Sequence, residues 1–305
     1  MSNLVLYLIT VLVWGSTWFA IEFQLGTVEP EVSIVYRYAL ASLLLFGWCK
    51  YKRLDLSFKL REHGWFILLG TFLFGLNYFL AYRAQIYITS ALNAIAFSTI
   101  VWMNILNARI WFGVRAGRRI LSGSLLGIAG IVILFAPQIR DISVTDAVFF
   151  GSMLAVIGAL TASFGNMVSQ GAQKSGLPVV QSNAWGMFYG ALLSAITSVL
   201  AGHTFSFDWS AGYIGSLVYL TVFGSIIAFG AYLTLLGRIG AHKAGYAMVM
   251  FPVAALILSM VFEGFKLDWP IVVGTLLVLA GNIFVLEKRT EPKRIDNCDA
   301  ARAAG

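Results

Sequence analysis

The chain has 305 residues, 59% of them hydrophobic and only 11% charged, with a mean hydropathy of +0.82 and a formal net charge of +7. A soluble globular chain carries about 25% charged residues, so this one lacks the charge to wet a globular surface. Ten membrane spans of roughly 20 residues would consume about two thirds of the length, which excludes a soluble catalytic or nucleotide-binding domain and an ATP-driven pump in one polypeptide.

Apolar stretches bounded by charges or turn residues run over 4–23, 32–49, 65–82, 88–110, 119–136, 146–169, 180–200, 211–233, 243–262 and 270–286. Each is long enough to cross about 30 Å of hydrocarbon with some tilt. Backbone groups in lipid must satisfy one another, so such stretches are helices. The expected fold class is therefore an all-α membrane protein of ten transmembrane helices.

The first span carries Thr10, Trp14 and Thr17 along one stripe. Pro30 opens the second, and Arg37 stands about one and a half turns inside it. In the third, Tyr78, Tyr82 and Gln85 fall at i, i+4 and i+7, with Asn77 adjoining. The fourth offers Asn93, Asn104 and Asn107 on a related face, with Trp102 nearby. The sixth contributes Ser163, Asn166 and Gln170, and Pro178 opens the seventh. The eighth carries Thr221, Ser225 and Tyr232, and the ninth Tyr246 and Met250. Pro252 is the one proline in mid-span, where the lost N–H predicts a kink; the other five sit at span ends. Met1-Ser2-Asn3 lacks the basic region of a cleavable signal. The charged tail 288–305 is expected to be disordered and cytoplasmic.

Orientation follows from basic residues. Alternate loops counted from the N-terminus hold 17 of the 21 Lys and Arg residues; the opposite loops hold 3 (Arg83, Arg140, Lys266), and Arg37 lies within a span. Both termini are expected in the cytoplasm of a multi-pass inner (plasma) membrane protein, with lipid around it. The positive charge is then a topology signal, not a nucleic-acid surface. Cys49 and Cys298 cannot build a disulfide framework, and both face the reducing side.

The chain also repeats itself after about 150 residues. Ser124-Leu125-Leu126-Gly127-Ile128-Ala129-Gly130 matches Thr275-Leu276-Leu277-Val278-Leu279-Ala280-Gly281. Phe74-Gly75 followed by Ala81-Tyr82 matches Phe223-Gly224 followed by Ala231-Tyr232, and Pro30 matches Pro178. Five spans is an odd number, so the copies cross the membrane in opposite senses. Inverted repeats, here 1–140 and 141–287, are the architecture of secondary transporters, with substrate near the midplane between them.

On these residues the sequence resembles the drug/metabolite transporter superfamily, specifically its EamA-type exporters with a 5+5 helix arrangement. The resemblance is carried by Trp14-Gly15-Ser16, Arg37 with Ala41, Ala91 through Ala94, and Gly123, Gly127 and Gly130. Pro252 with Glu263, then Gly274 and Gly281, complete it. It implies export of amino acids or other metabolites, with the aromatic amino acid branch the nearest, and helices five and ten packed together away from the pathway. The chain departs from the family in one respect: Val101 and Phe112 stand where the first repeat often carries Pro and Glu.

Polar residues inside spans avoid lipid and face the interior. A pathway walled by Trp14, Asn77, Tyr78, Tyr82, Asn93, Trp102, Ser163, Asn166, Ser225, Tyr232, Tyr246 and Met250 suits a small-molecule zwitterion with an apolar or aromatic side chain. Ser, Thr and Asn also serve as interhelical hydrogen-bond glue, and Trp and Tyr near span ends as interfacial belts. Taken together, the third- and fourth-span clusters read as cavity. Gly123-x-x-x-Gly127 and Gly274 with Gly281 read as close helix contacts. Arg37 has two readings: an anchor snorkelling to the outer interface, or a receptor for a carboxylate.

No acid lies near a span centre, and His63, His203 and His242 all read as loop residues, so no proton carrier is evident. Intramembrane enzymes need a Ser–His pair, metal-ligating clusters or acidic motifs at membrane depth; none is seen, and no cofactor or metal is expected. The expected function is facilitative secondary export of amino acids by alternating access. The alternative is another drug or metabolite exporter, or a carrier of phosphorylated or nucleotide sugars, whose charge would want several cavity cations. Monomer and homodimer are both open.

Overall fold

A computed structural model describes residues 1–89, 93, 96–134, 136, 146–251, 253 and 269–286, and the regular structure among them is helical, without strands. In chain order the helices are α1 (Asn3–Glu22), α2 (Pro30–Tyr51), α3 (Leu60–Tyr87), α4 (Ile100–Phe112) and α5 (Arg118–Leu134). They continue as α6 (Asp146–Lys174), α7 (Val179–Leu200), α8 (Ala211–Ile239), α9 (Ala241–Ala244, followed by a 3₁₀ stretch Gly245–Met250) and α10 (Trp269–Leu286). Five of them, α1, α2, α3, α6 and α8, are long and apolar enough to cross a membrane.

Local chemistry sets several of these ends. Ser2 accepts from the Val5 amide and Ser210 from the Tyr213 amide, capping α1 and α8. Pro30 begins α2 where its missing N–H is harmless, with Glu31 in the first turn against the positive helix end. Gly113 ends α4 at φ 67°, a left-handed conformation that glycine adopts without penalty.

Two helices widen in mid-course. Gly70–Leu76 in α3 and Leu220–Ile227 in α8 are π-helical, with i→i+5 hydrogen bonding. Each contains the repeated Phe-Gly pair, Phe74-Gly75 or Phe223-Gly224. Such segments free backbone carbonyls, and neighbouring side chains take them up. The Asn77 amide donates to the Leu73 carbonyl at 3.2 Å, and the Ser225 hydroxyl to the Leu220 carbonyl at 3.0 Å. Wide turns of this kind concentrate at functional sites.

Packing pairs recur. α2 lies along α7, and α5 along α10. α3 packs on α6 as α8 packs on α1, and the wide turn of α3 meets α7 as that of α8 meets α2. The α5–α10 crossing is closest at its glycines: a Cβ on Gly281 would stand 2.6 Å from the Gly123 carbonyl oxygen, and one on Gly130 would stand 2.7 Å from that of Gly274. No larger side chain fits there, and the close backbone approach gains dispersion contact along both helices.

Several expectations need correction. The fourth span is not one continuous helix from residue 88: Ile88 is extended (φ −132°, ψ 153°), Asn93, Ala96 and Phe97 are helical, and a turn at Ser98 and Thr99 separates them from α4 at Ile100. His63 lies in the first turn of α3 and His242 in α9, not in loops. Pro252 with its expected kink, Glu263, Ala91, Ala94 and the tail 288–305 lie outside the described residues.

Candidate functional site

One narrow cavity, of about 50 Å³, lies where α1, α3, α4, α6 and α8 converge. Trp14, Asn77, Tyr78, Asn166 and Tyr232, all singled out from the sequence, line it. So do Thr17, Trp18, Leu73, Phe97, Phe229, Met248 and Phe251. Trp18 and Phe229 carried a usable signal, since they stand one helical turn beyond Trp14 and Ser225. Phe97 likewise stands one helical turn beyond Asn93, before the turn into α4.

Rings form the wall. Trp14 meets Phe229 at 4.7 Å between centroids, Tyr232 at 5.0 Å and Phe251 at 5.6 Å, joining α1 to α8 and the segment after α9. Its indole N–H donates to the Gly224 carbonyl at 2.9 Å, so its polar edge is satisfied by the wide turn of α8. Each ring pair adds about 0.5–1.5 kcal/mol beyond its burial, which makes this a firm wall.

Amides supply the polarity. Asn77 donates to Leu73, which leaves its Oδ1 facing no donor. Asn166 Nδ2 donates to Asn104 Oδ1 at 3.2 Å across α6 and α4, and Asn166 Oδ1 also lacks a donor. The Tyr232 hydroxyl stands beside Asn104 and Asn166. A buried carbonyl oxygen without a donor costs about 1–3 kcal/mol, and a cationic or N–H-bearing guest would relieve that cost.

The other residues singled out lie elsewhere. Ser163 accepts from Asn107 at 2.8 Å, an α4–α6 tie of the glue type. Asn93 donates to the Ala81 carbonyl at 2.9 Å, and Thr10 donates within α1. Tyr246 is fully buried among α5 and α10 residues and donates to the Ile120 carbonyl at 3.1 Å. Trp102 is half-buried on α4, and Met250 packs at the edge of two core clusters.

Arg37 needs a correction of another kind. It is 1% exposed and does not reach an interface, so the snorkelling anchor is overturned. Its Nε donates to Ser225 Oγ at 2.9 Å and its NH1 to the Tyr82 hydroxyl at 3.3 Å. The guanidinium lies 4.6 Å from the centre of the Tyr78 ring and 5.3 Å from that of Tyr38. Tyr82 and Ser225 thus stand one layer behind the cavity, holding the cation.

At the end where α2 begins, Arg83 pairs with Glu31 at 2.6 Å and Glu29 at 3.7 Å, with His203 4.0 Å from Glu31. Glu29, Glu31 and His203 bring ligand atoms within 4.8 Å of one another. Arg83 already supplies the positive charge there, so the group is an ion-pair cluster. Among the described residues no carboxylate lines the central cavity.

The chain is similar over most of its length to known transporters. It is 23% identical to an uncharacterized transporter, YoaV, of Bacillus subtilis (strain 168), over 95% of this chain and 99% of that protein. It is 25% identical to a biotin transporter of Escherichia coli (strain K12), over 97% of each. It is also 25% identical to YedA, an uncharacterized inner membrane transporter of the same strain, over 85% and 83%. A solved crystal structure superposes with a TM-score of 0.76 at 17% identity, covering 93% of this chain and 96% of its own, and so shares the fold. The model of the EamA-like transporter family matches twice, over residues 1–136 and 149–287. A family match that takes in nearly the whole chain, on an all-helical frame around one ring-lined cavity, identifies this membrane protein as a member of the EamA-like transporter family.

Proposed function

We propose that the protein is a facilitative secondary exporter of amino acids, aromatic or neutral, working by alternating access between two inverted five-helix repeats, 1–140 and 141–287. The observation that carries this reading is the cavity itself: an aromatic wall with two unpaired amide oxygens, Asn77 Oδ1 and Asn166 Oδ1, and no lining carboxylate among the described residues. Rings accept an apolar or aromatic side chain, and amide oxygens replace the water around an ammonium group. The doubled family match, the two wide turns and the recurring helix pairs support the repeat architecture. The bias of basic residues supports cytoplasmic termini in the inner membrane, with the Glu31–Arg83 end facing outward.

A second reading has one observation in its favour. A relative is named as a biotin transporter, and biotin too joins a carboxylate to an apolar body. Comparing amino acids and biotin in the medium of cells with and without the protein separates the two. Accumulation of Phe, Tyr, Trp or neutral relatives is expected; an unchanged amino acid panel overturns the leading reading. In vesicles, export is expected to run without a pH gradient. A gradient requirement that survives removal of Glu22 and Glu263 sinks the uncoupled mechanism. Tyr78→Ala is expected to cut export at unchanged membrane abundance, because Tyr78 faces the cavity.

A further inference from the structure

Arg37 is a full charge held away from water, and among the described residues no opposite charge meets it. Of its three guanidinium nitrogens, Nε is satisfied by Ser225 and NH1 by Tyr82, whereas NH2 has no acceptor. Both partners are neutral. The nearest acid along the helix, Glu31, is taken by Arg83 at 2.6 Å. Among the described residues no ion pair involves Arg37. Faces of Tyr38 and Tyr78 offset part of the charge. Taking an ion out of water costs more than two such neutral contacts return, so the rings do not balance it.

The unsatisfied nitrogen is separated from the cavity by a single layer. Thr17 and Tyr78 both line the cavity. A Cβ built on Gly224 would stand 3.0 Å from Thr17 Cγ2 and 3.1 Å from Arg37 NH2, so the glycine keeps open the space where the two meet. Tyr78 is only partly buried and covers the guanidinium with its ring. Ser225 is oriented as well: its proton goes to the Leu220 carbonyl, which leaves its oxygen lone pairs aimed at Nε. Arg37 is thus locked in place with one edge unspent.

We infer that Arg37 NH2 is the anion subsite of the transport cavity and that the cargo carries a single carboxylate, docked there when Tyr78 turns aside. The inference deepens the proposed function and rests on the cavity being the route. A carboxylate at Arg37 and an ammonium near Asn77 and Asn166 would bracket a zwitterion. The carboxylate alone would serve a monocarboxylate with an apolar body. Two phosphate charges would leave one unpaired, so phosphorylated sugars are disfavoured.

The test uses the purified full-length protein in lipid nanodiscs, with two acid–amide pairs as probes: phenylalanine with phenylalaninamide, and biotin with biotinamide. In the wild type, at least one acid is expected to bind about thirtyfold or more tighter than its amide, the range for a buried charge pair losing one partner. Arg37→Gln is expected to bring that acid down to its amide, while Arg37→Lys retains part of the preference. A response from the biotin pair alone keeps the anion subsite and removes the amino acid reading. Equal binding of acids and amides, no binding by either acid, or an acid preference that survives Arg37→Gln overturns the inference. Should Arg37→Gln not be recovered folded, the wild-type ratio together with Arg37→Lys decides.

Discussion

The two stretches matched by the family model begin their second helices alike, on Pro30 and Pro178, and seven residues later they diverge. The first places Arg37 there, buried against the wide turn of α8 and held by Ser225 and Tyr82. The second places Trp185, half-buried, with its indole N–H on the Leu56 carbonyl and its ring against Phe46 at 5.0 Å and His63 at 4.6 Å. One position is polar and short of an acceptor; the other is apolar and satisfied. The same backbone pairing therefore serves two ends: a charge-bearing face beside the cavity, and a packed aromatic plug near the other side of the protein. Repetition supplies the frame, and equivalent places carry a buried cation in one part and an indole in the other.

The largest effect expected to test that contrast is on stability. Trp185→Ala empties the aromatic cluster and should cost about 3 kcal/mol, lowering the midpoint of thermal unfolding while leaving the ratio of acid to amide binding unchanged. A fall in that ratio would show that the two ends are not separate in function. Next, Arg83→Gln should cost about 2 kcal/mol because it strands the buried Glu31 carboxylate. Glu31→Gln should cost less, since Arg83 keeps access to water. Equal losses in thermal midpoint would mean that the pair works as a surface bridge.

The two glycines of the wide turns give a finer test. Gly224→Ala pushes a methyl group toward Thr17 and Arg37 and should weaken phenylalanine binding by about tenfold, equivalent to ~1.4 kcal/mol. Gly75→Ala meets the tip of Leu193 at 3.0 Å and the Gly70 carbonyl oxygen at 3.2 Å; it should cost about 1 kcal/mol of stability without touching affinity. Isothermal titration of both variants checks the difference. The smallest effect concerns the tyrosines. Tyr82→Phe removes the acceptor for Arg37 NH1, a loss of about 1 kcal/mol or roughly fivefold in affinity. Tyr78→Phe keeps the ring on the guanidinium and should bind like the wild type.

Much of the site could be read in advance because helical spacing is local. Trp14, Asn77, Tyr78, Asn166 and Tyr232 were visible as polar or aromatic residues that lipid would reject, and they meet at one cavity. Ser163 and Tyr246 belong to the same chemical types yet serve as ties between helices. Composition does not separate the two uses, because the partner that decides lies on another helix. The break before α4 is hidden for a related reason: an apolar run has the same hydropathy whether its helix is continuous or interrupted by a turn such as that at Ser98 and Thr99.

The sequence by itself determined that the chain is an all-helical membrane protein and that its second part repeats its first. These follow from hydrophobic length and spacing, quantities that add up residue by residue along the chain. Only the tertiary structure decided that Arg37 is buried without a counter-charge among the described residues, since Ser225, its nearest partner, lies 188 residues away. Snorkelling and burial begin from the same helix position. Which one occurs depends on whether a neighbouring helix closes over the side chain, and the wide turn of α8, lined by Gly224, is what leaves room for it there.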